Sequence, residues 1–174
     1  MGFDFLKDLV GKVMHRKNKG KKRVSMAWKN PEFWDDVEEL TSDNLIEEFE
    51  QTFGYTFPAD FKEIFPLING GYPEHPIFDT SCEPERDISN FDSFNKDSDT
   101  SIWDSYGAWD ETCEEFKGFT ERYIPFAYSG GGDAICFDTK NDHIVYVDHE
   151  LARVEYVADT FTEFLCSLYM PEDY

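Results

Sequence analysis

The chain has 174 residues and a net charge of −21, and 17% of its residues are aromatic. This length suits one domain with a substantial core, and so many aromatic side chains exclude a chain that is disordered throughout. So strong a negative charge argues against a protein whose main body binds DNA, RNA or an anionic membrane.

The charge is divided unevenly along the chain. Residues 1–30 carry nine Lys or Arg against two Asp, a net of +7, whereas residues 31–174 carry seven basic and 35 acidic residues, a net of −28. An excess of this size is larger than solubility requires. We therefore expect the body of the protein to attract a basic partner.

Cysteine usage and hydropathy indicate a cytoplasmic protein. The four cysteines, Cys82, Cys113, Cys136 and Cys166, lack the close spacing of a zinc site or a redox motif. Charged residues interrupt the apolar stretch near the N-terminus, and no segment has the length that spanning a membrane needs. We expect free thiols in a reducing compartment.

The first 29 residues are predicted to form an extension apart from the main domain. Apolar residues at helical spacing predict an amphipathic helix over 3–14, and the basic run 16–23 is typical of a linker. A single domain is expected over 30–174. Because that domain is acidic, we expect the extension to contact the chain itself or a partner rather than anionic lipid.

Helical periodicity and turn residues divide the next part of the chain. Three helices are predicted, over residues 31–40, 43–53 and 58–68, and the glycine-rich turn that follows ends the last of them. Short strands are expected near 76–79 and 87–92.

The last third of the chain changes period. Short β-prone runs separated by turn residues predict an antiparallel meander with strands at 123–128, 133–138, 143–148 and 153–157. A closing helix is predicted over 159–169. Helices, then a meander, then a helix is the order of an α+β domain.

Between the predicted helices and the meander lies a segment that is both acidic and aromatic, at about residues 79–117, called here the acidic-aromatic segment. It is predicted either to be a solvated loop or to bind a partner, and we favour binding. Carboxylates would steer a basic partner and aromatic side chains would anchor it. The candidate steering residues are Asp97, Asp99, Asp104, Asp110 and Glu111, and the candidate anchors are Trp103, Tyr106 and Trp109.

No motif predicts a catalytic residue, a cofactor or a metal ion. Asp97 and Asp99 start like a calcium loop, but Ile102 occupies the position that requires glycine. The glycine-rich run 129–133 precedes a predicted strand and lacks a basic residue, unlike a phosphate site.

Three blocks resemble the SUKH superfamily. The first is the run 54–65, Gly-Tyr-Thr-Phe-Pro-Ala-Asp-Phe-Lys-Glu-Ile-Phe, followed by Asn-Gly-Gly at 69–71. The second is Ile-Pro-Phe-Ala at 124–127 with the glycine-rich turn after it, and the third contains Ile-Val-Tyr at 144–146. The resemblance covers roughly residues 43–71 and 123–168.

The resemblance implies an α+β fold in which a curved antiparallel sheet packs against N-terminal and C-terminal helices. It also implies binding without catalysis, since the superfamily includes fungal cell-wall regulators and bacterial immunity proteins. The leading hypothesis is therefore an immunity protein that neutralises a basic toxin, with a nuclease as the expected class. A non-catalytic adaptor for an endogenous partner is the alternative, and an enzyme comes third. The N-terminal extension and the acidic-aromatic segment depart from the superfamily pattern.

Overall fold

The computed structural model describes residues 25–112 and 118–170, without the side chains of residues 110–112. The predicted helix over 3–14 and the basic run 16–23 lie outside the described residues.

The described chain is packed against the domain from its first residues. The Ser25 amide donates a hydrogen bond to the Cys166 carbonyl at 2.9 Å. Trp28 is buried, and its indole N–H donates to the Cys166 Sγ at 3.4 Å. Packing therefore begins before residue 30, where the sequence places the domain boundary.

The predicted helix over 31–40 is wrong. The segment instead forms a 3-10 turn at Pro31–Phe33 and then strand β1 (Trp34–Asp35), which pairs antiparallel with β2 (Tyr72–Pro73). Asp36 has a φ of 56°, in the left-handed region that ends a regular helix or strand. The apolar residues at helical spacing lie in a turn and a strand instead of a helix. Pairing with the distant strand β2 outweighs the local helical periodicity.

The next two helices lie where the sequence predicts them. Helix α1 (Leu45–Phe53) ends at Gly54, which has a φ of 72°. Glycine takes this left-handed conformation without steric cost, so it closes the helix. Helix α2 (Ala59–Ile64) is shorter than predicted and continues as a 3-10 turn, Phe65–Leu67, since the proline inside that turn has no N–H for the α-helical ladder.

A small hairpin follows, with strands β3 (Ile77–Phe78) and β4 (Arg86–Asp87). The predicted strand over 87–92 is in fact two short strands in different sheets, since the next one, β5 (Asn90–Phe91), joins the main sheet. Helix α3 (Ile102–Thr112) then fills part of the acidic-aromatic segment, for which no helix was predicted.

The antiparallel meander is confirmed. The main sheet has five antiparallel strands in the order β5-β6-β7-β8-β9. Register shifts interrupt the β6–β7 and β8–β9 ladders, and such bulges bend and twist a sheet. The last four strands are β6 (Tyr123–Tyr128), β7 (Ala134–Asp138), β8 (His143–Asp148) and β9 (Arg153–Ala158).

Helix α4 (Phe161–Cys166) closes the described domain and is shorter than the predicted 159–169. The Thr160 hydroxyl accepts the Glu163 amide at 3.1 Å, and the Glu163 carboxylate accepts the Asp159 amide at 3.3 Å. This reciprocal cap fixes where the helix begins.

The two faces of the main sheet are covered differently. The first face packs on α1, α2 and α4 through buried phenylalanines, among them Phe61, whose ring stacks on Phe57 at 4.5 Å and on Phe65 at 4.4 Å. On the second face Trp109 and Phe119, stacked at 5.0 Å, join a smaller cluster of buried residues. The strands contribute Ala134, Cys136, Val145 and Val147 to that cluster. The chain is thus an α+β domain with apolar cover on both faces of its sheet.

Candidate partner-binding surface

A network of buried polar side chains fastens the loop 93–101, called here the acidic loop, to the rest of the domain. The Asn69 side chain accepts the Phe94 amide at 2.8 Å and donates to the Ser93 hydroxyl at 3.0 Å. The Asn95 side chain accepts the Thr41 amide at 2.9 Å. Because these bonds are shielded from water, they hold the loop in one conformation.

Glu38 joins this network from a distant part of the chain. Its carboxylate accepts hydrogen bonds from the hydroxyls of Ser93 and Ser98, both at 2.7 Å, and from the Asn95 amide group at 3.1 Å. Burial by itself would raise the pKa of Glu38, but these three donors outweigh it and hold the pKa below its usual value. Sequence reasoning missed Glu38, since its partners lie more than fifty residues away.

The fastened loop presents carboxylates to solvent. Asp97 and Asp99 are exposed on the acidic loop, and Asp104 is exposed in the first turn of α3. The structure therefore places three of the five predicted steering residues on one stretch of surface. The side chains of Asp110 and Glu111 lie outside the described residues.

Further acidic residues that the sequence analysis left out adjoin this loop. The Asn95 side chain donates to the carbonyl of Glu39, whose own side chain is exposed, at 2.9 Å. Glu48, exposed on α1, forms an ion pair with Lys96 of the loop. The exposed carboxylates of Asp97, Asp99, Asp104, Glu39 and Glu48 are called here the acidic surface.

The three predicted anchors differ in how far they reach the surface. Trp103 is half-buried and donates its indole N–H to the Phe94 carbonyl at 2.9 Å. Tyr106 is also half-buried, with its ring 4.1 Å from that of Phe53. Trp109 is only 6% exposed and packs on the second face of the sheet, so a partner cannot reach it in this arrangement.

Lys96 shows that the surface can hold a cation. Its ammonium lies 4.4 Å from the centre of the Trp103 ring and forms an ion pair with Glu48. An aromatic face beside a carboxylate attracts Lys and Arg through both the ring quadrupole and the charge. A basic partner could make the same contacts.

Within 25–112 and 118–170, no three His, Cys, Asp or Glu side chains are grouped to hold a metal ion. The glycine-rich run 129–133 forms the turn between β6 and β7, closed by the bond from the Ser129 amide to the Asp133 carbonyl at 2.9 Å. The Asp133 carboxylate accepts from the Tyr146 hydroxyl at 2.5 Å and from the His149 amide at 2.9 Å.

Comparison with known proteins agrees with this architecture. The family model SUKH_6, described as SMI1-KNR4 cell-wall, matches residues 43–165, which include α1, α2, α3 and the main sheet. The chain belongs to the SMI1-KNR4 family of the SUKH superfamily. The resemblance noted in the sequence is thereby confirmed, and the match also runs through the acidic-aromatic segment.

One relative is a Bacillus subtilis (strain 168) protein named SPbeta prophage-derived uncharacterized protein YokK. It is 28% identical over 151 residues, which cover 74% of this chain and 75% of the relative. The SUKH superfamily includes immunity proteins, and its members are generally non-catalytic. None of the helices in the described part of the chain has the length and apolar character needed to cross a membrane.

Proposed function

We propose that this SUKH protein is a cytoplasmic immunity protein that binds a basic protein toxin and blocks it without chemistry of its own. The toxin class that fits best is a nuclease, because a nuclease needs a cationic groove to hold phosphates. Carboxylates displayed on a rigid loop can occupy such a groove in place of the substrate.

The observation that carries the proposal is the acidic surface. Two of its carboxylates, Asp97 and Asp99, stand on a loop that buried Asn69, Ser93 and Asn95 hold in place, so little conformational entropy of that loop is lost when a partner binds. The body of the protein carries a net charge of −28 over residues 31–174, which adds long-range attraction for a cationic partner. A relative whose name describes it as prophage-derived is consistent with a role in competition between replicons or strains.

Steering the partner and anchoring it are roles of different residues. Long-range charge sets the association rate, whereas half-buried aromatic groups set the residence time. We assign the first role to Asp97, Asp99 and Asp104. We assign the second to Trp103 and Tyr106, and the burial of Trp109 makes it a packing residue in the same helix.

The test begins with identifying the partner by affinity capture from the native host and by co-expression with the product of any neighbouring toxin gene. The proposal expects one-to-one binding of a basic protein and rescue of growth. Capture of an endogenous, non-toxic protein would favour the adaptor role, for which the cell-wall description of the family is the supporting observation.

Binding kinetics then test the surface. Replacing Asp97, Asp99 and Asp104 together by Asn should slow association about ten-fold or more at low salt and much less at physiological salt. A matched control removes three exposed carboxylates elsewhere, by Gln substitution of Glu63, Glu121 and Glu150. Equal effects of the two triple variants would show that only net charge matters and that the acidic surface is not the docking site.

Anchoring is tested by truncation. Trp103→Ala should speed dissociation, with a loss of at least ~2 kcal/mol or roughly thirty-fold in affinity. Trp109→Ala should instead lower the melting temperature, because it empties a buried site. Unchanged dissociation from a folded Trp103→Ala variant would place the interface elsewhere.

A further inference from the structure

Asp92 is a buried carboxyl group that the proposed binding function does not use. It directly follows β5, where strand alternation turns Phe91 into the main core and Asp92 toward the second face of the sheet. The residue is 2% exposed, and its amide donates to the Phe126 carbonyl at 2.9 Å. The backbone at Asp92 is therefore fixed to β6.

The side chain of Asp92 contacts helix α3. The hydroxyl of Ser105, the fourth residue of that helix, donates to the Asp92 carboxyl at 2.5 Å. This bond links the helix to the strand end. Trp103 and Tyr106 of the helix pack near Phe49 of α1, whereas Trp109, further along, stacks on Phe119.

Among the residues that the structure describes, none places a compensating positive charge beside Asp92. The groups near it are Ser105 from α3, Tyr128 from β6 and Cys136 from β7, and among the described residues no Lys, Arg or His is its partner. Burial raises the pKa of Asp92 to about 7, although the Ser105 hydrogen bond opposes that rise. The same burial, with the nearby Asp92, raises the pKa of Tyr128 and of the Cys136 thiol.

The Tyr128 hydroxyl is buried and, within the described part of the chain, makes no hydrogen bond of normal geometry. A phenol hydroxyl donates as well as accepts, so it is compatible with either form of Asp92. The neutral form is favoured because the carboxyl group is 2% exposed and has no positive partner among the described residues.

We propose that Asp92 is a protonation-controlled anchor of α3: the helix covers the carboxyl group while it is neutral, and ionisation favours the open helix because the charge is then exposed to water. The inference does not depend on the proposed function. Where both hold, the release of α3 would also displace Trp103 and Tyr106, so that binding would become sensitive to pH.

The sign of the effect follows from linkage. When α3 opens, Asp92 meets water and its pKa returns toward the ordinary value of about 3.9. Between that value and 7 the closed form holds a proton that the open form has lost. Closing therefore becomes less favourable as pH rises through this window, about ten-fold for each pH unit, and the effect levels off above pH 7.

Native-state hydrogen exchange of the full chain tests this, after correction for the intrinsic exchange rate. From pH 5 to pH 7 the opening constant of the α3 amides should rise about 50-fold, and the α3 amides should open at a lower free energy than the β8 amides, which exchange only when the sheet itself opens. The Asp92 carboxyl, followed by carbon NMR, should titrate near pH 7. Titration near pH 4, or an opening free energy of the α3 amides equal to that of the β8 amides, would overturn the proposal.

Two variants sharpen the experiment. Asp92→Asn removes the titrating group and should flatten the α3 profile, while Asp99→Asn, at an exposed carboxylate, should leave it unchanged. Ser105→Ala removes the one donor that favours the ionised form, so the profile should level off at a higher pH. If Asp92→Asn does not fold, the pH profile of α3 opening in the wild type and its shift in Ser105→Ala still test the proposal. A profile that keeps its shape in folded Asp92→Asn refutes the anchor.

Discussion

Two carboxyl groups in the described part of the chain are exposed by no more than 2%, and their neighbours give them opposite characters. Glu155 on β9 is 0% exposed, yet Arg86 pairs with it at 3.1 Å and Arg153 also forms an ion pair with it. Asp92 is 2% exposed and has the hydroxyl of Ser105 as its described partner.

The difference shows that burial alone does not determine what a carboxyl group does. Because its neighbours are positive, Glu155 stays charged in the ion pair that ties β9 to Arg86 of β4. The Arg86 guanidinium also lies 4.7 Å from the centre of the Tyr146 ring. Without such neighbours, the charged form of Asp92 is unfavourable and the group becomes sensitive to pH.

The largest effect is expected from breaking the compensated pair. Arg86→Met should destabilise the domain by about 3–5 kcal/mol, because it leaves Glu155 enclosed with only part of its positive charge balance. Urea denaturation at neutral pH measures the loss. The control is Lys96→Met, because Lys96 and its partner Glu48 both have side chains that are 47% exposed, and the loss should be about 1 kcal/mol or less. Equal losses for Arg86→Met and Lys96→Met would show that enclosure of Glu155 does not strengthen its pairing.

A smaller effect is expected at Glu38, whose surroundings lie between those of Glu155 and Asp92. Among the described residues its carboxylate has no cation beside it, but neutral hydrogen-bond donors offset the cost of burying its charge. Glu38→Ala should cost roughly 2–3 kcal/mol, since it removes the acceptor for Ser93, Ser98 and Asn95. Thermal and urea unfolding measure the loss, and Glu39→Ala, at an exposed neighbour, should change stability by less than about 0.5 kcal/mol.

The pH dependence at Glu38 has the opposite sign to that at Asp92. A lowered pKa means that the stability from Glu38 is present above the unfolded pKa and disappears as pH falls through the folded value. The difference between wild type and Glu38→Ala should therefore shrink on acidification below about pH 4. A difference that stays constant with pH would show that Glu38 acts by packing alone.

The smallest effects are expected from two buried tyrosine hydroxyls. Like the two carboxyl groups, they differ in the partners that the described residues give them, but neither carries a charge. The Tyr55 hydroxyl donates to the Asp142 carboxylate at 3.0 Å, whereas that of Tyr128 has no normal hydrogen bond among the described residues. Tyr55→Phe should cost about 1 kcal/mol and Tyr128→Phe close to none. Denaturation midpoints at pH 6 distinguish them, and a larger loss for Tyr128→Phe would mean that its hydroxyl does find a partner, Asp92 first of all.

Several elements followed from local sequence alone. The strand periodicity of 123–157 and the turns between the strands predicted the meander, and Gly54 marked the end of α1, because each of these signals is contained in a few neighbouring residues. Trp34 and Asp35 were misassigned to a helix because their pairing with β2 depends on residues almost forty positions later. Helix α3 was missed because its apolar residues contact two different clusters rather than form one stripe.

The candidate site was predictable in part for the same reason. Sequence alone singled out Asp97, Asp99 and Asp104 by composition, and they are exposed. It could not separate Trp103 from Trp109, since both are Trp on an acidic segment and only the covered second face buries one of them.

The sequence by itself determined the α+β class, the antiparallel meander and the strongly acidic body, because periodicity, turn chemistry and charge are additive along the chain. The tertiary structure alone decided the character of each carboxyl group. Glu155 and Arg86 are 69 residues apart in sequence, and Glu38 and Ser93 are 55 apart. A pKa depends on the distance to charges and on the exclusion of water, and folding sets both.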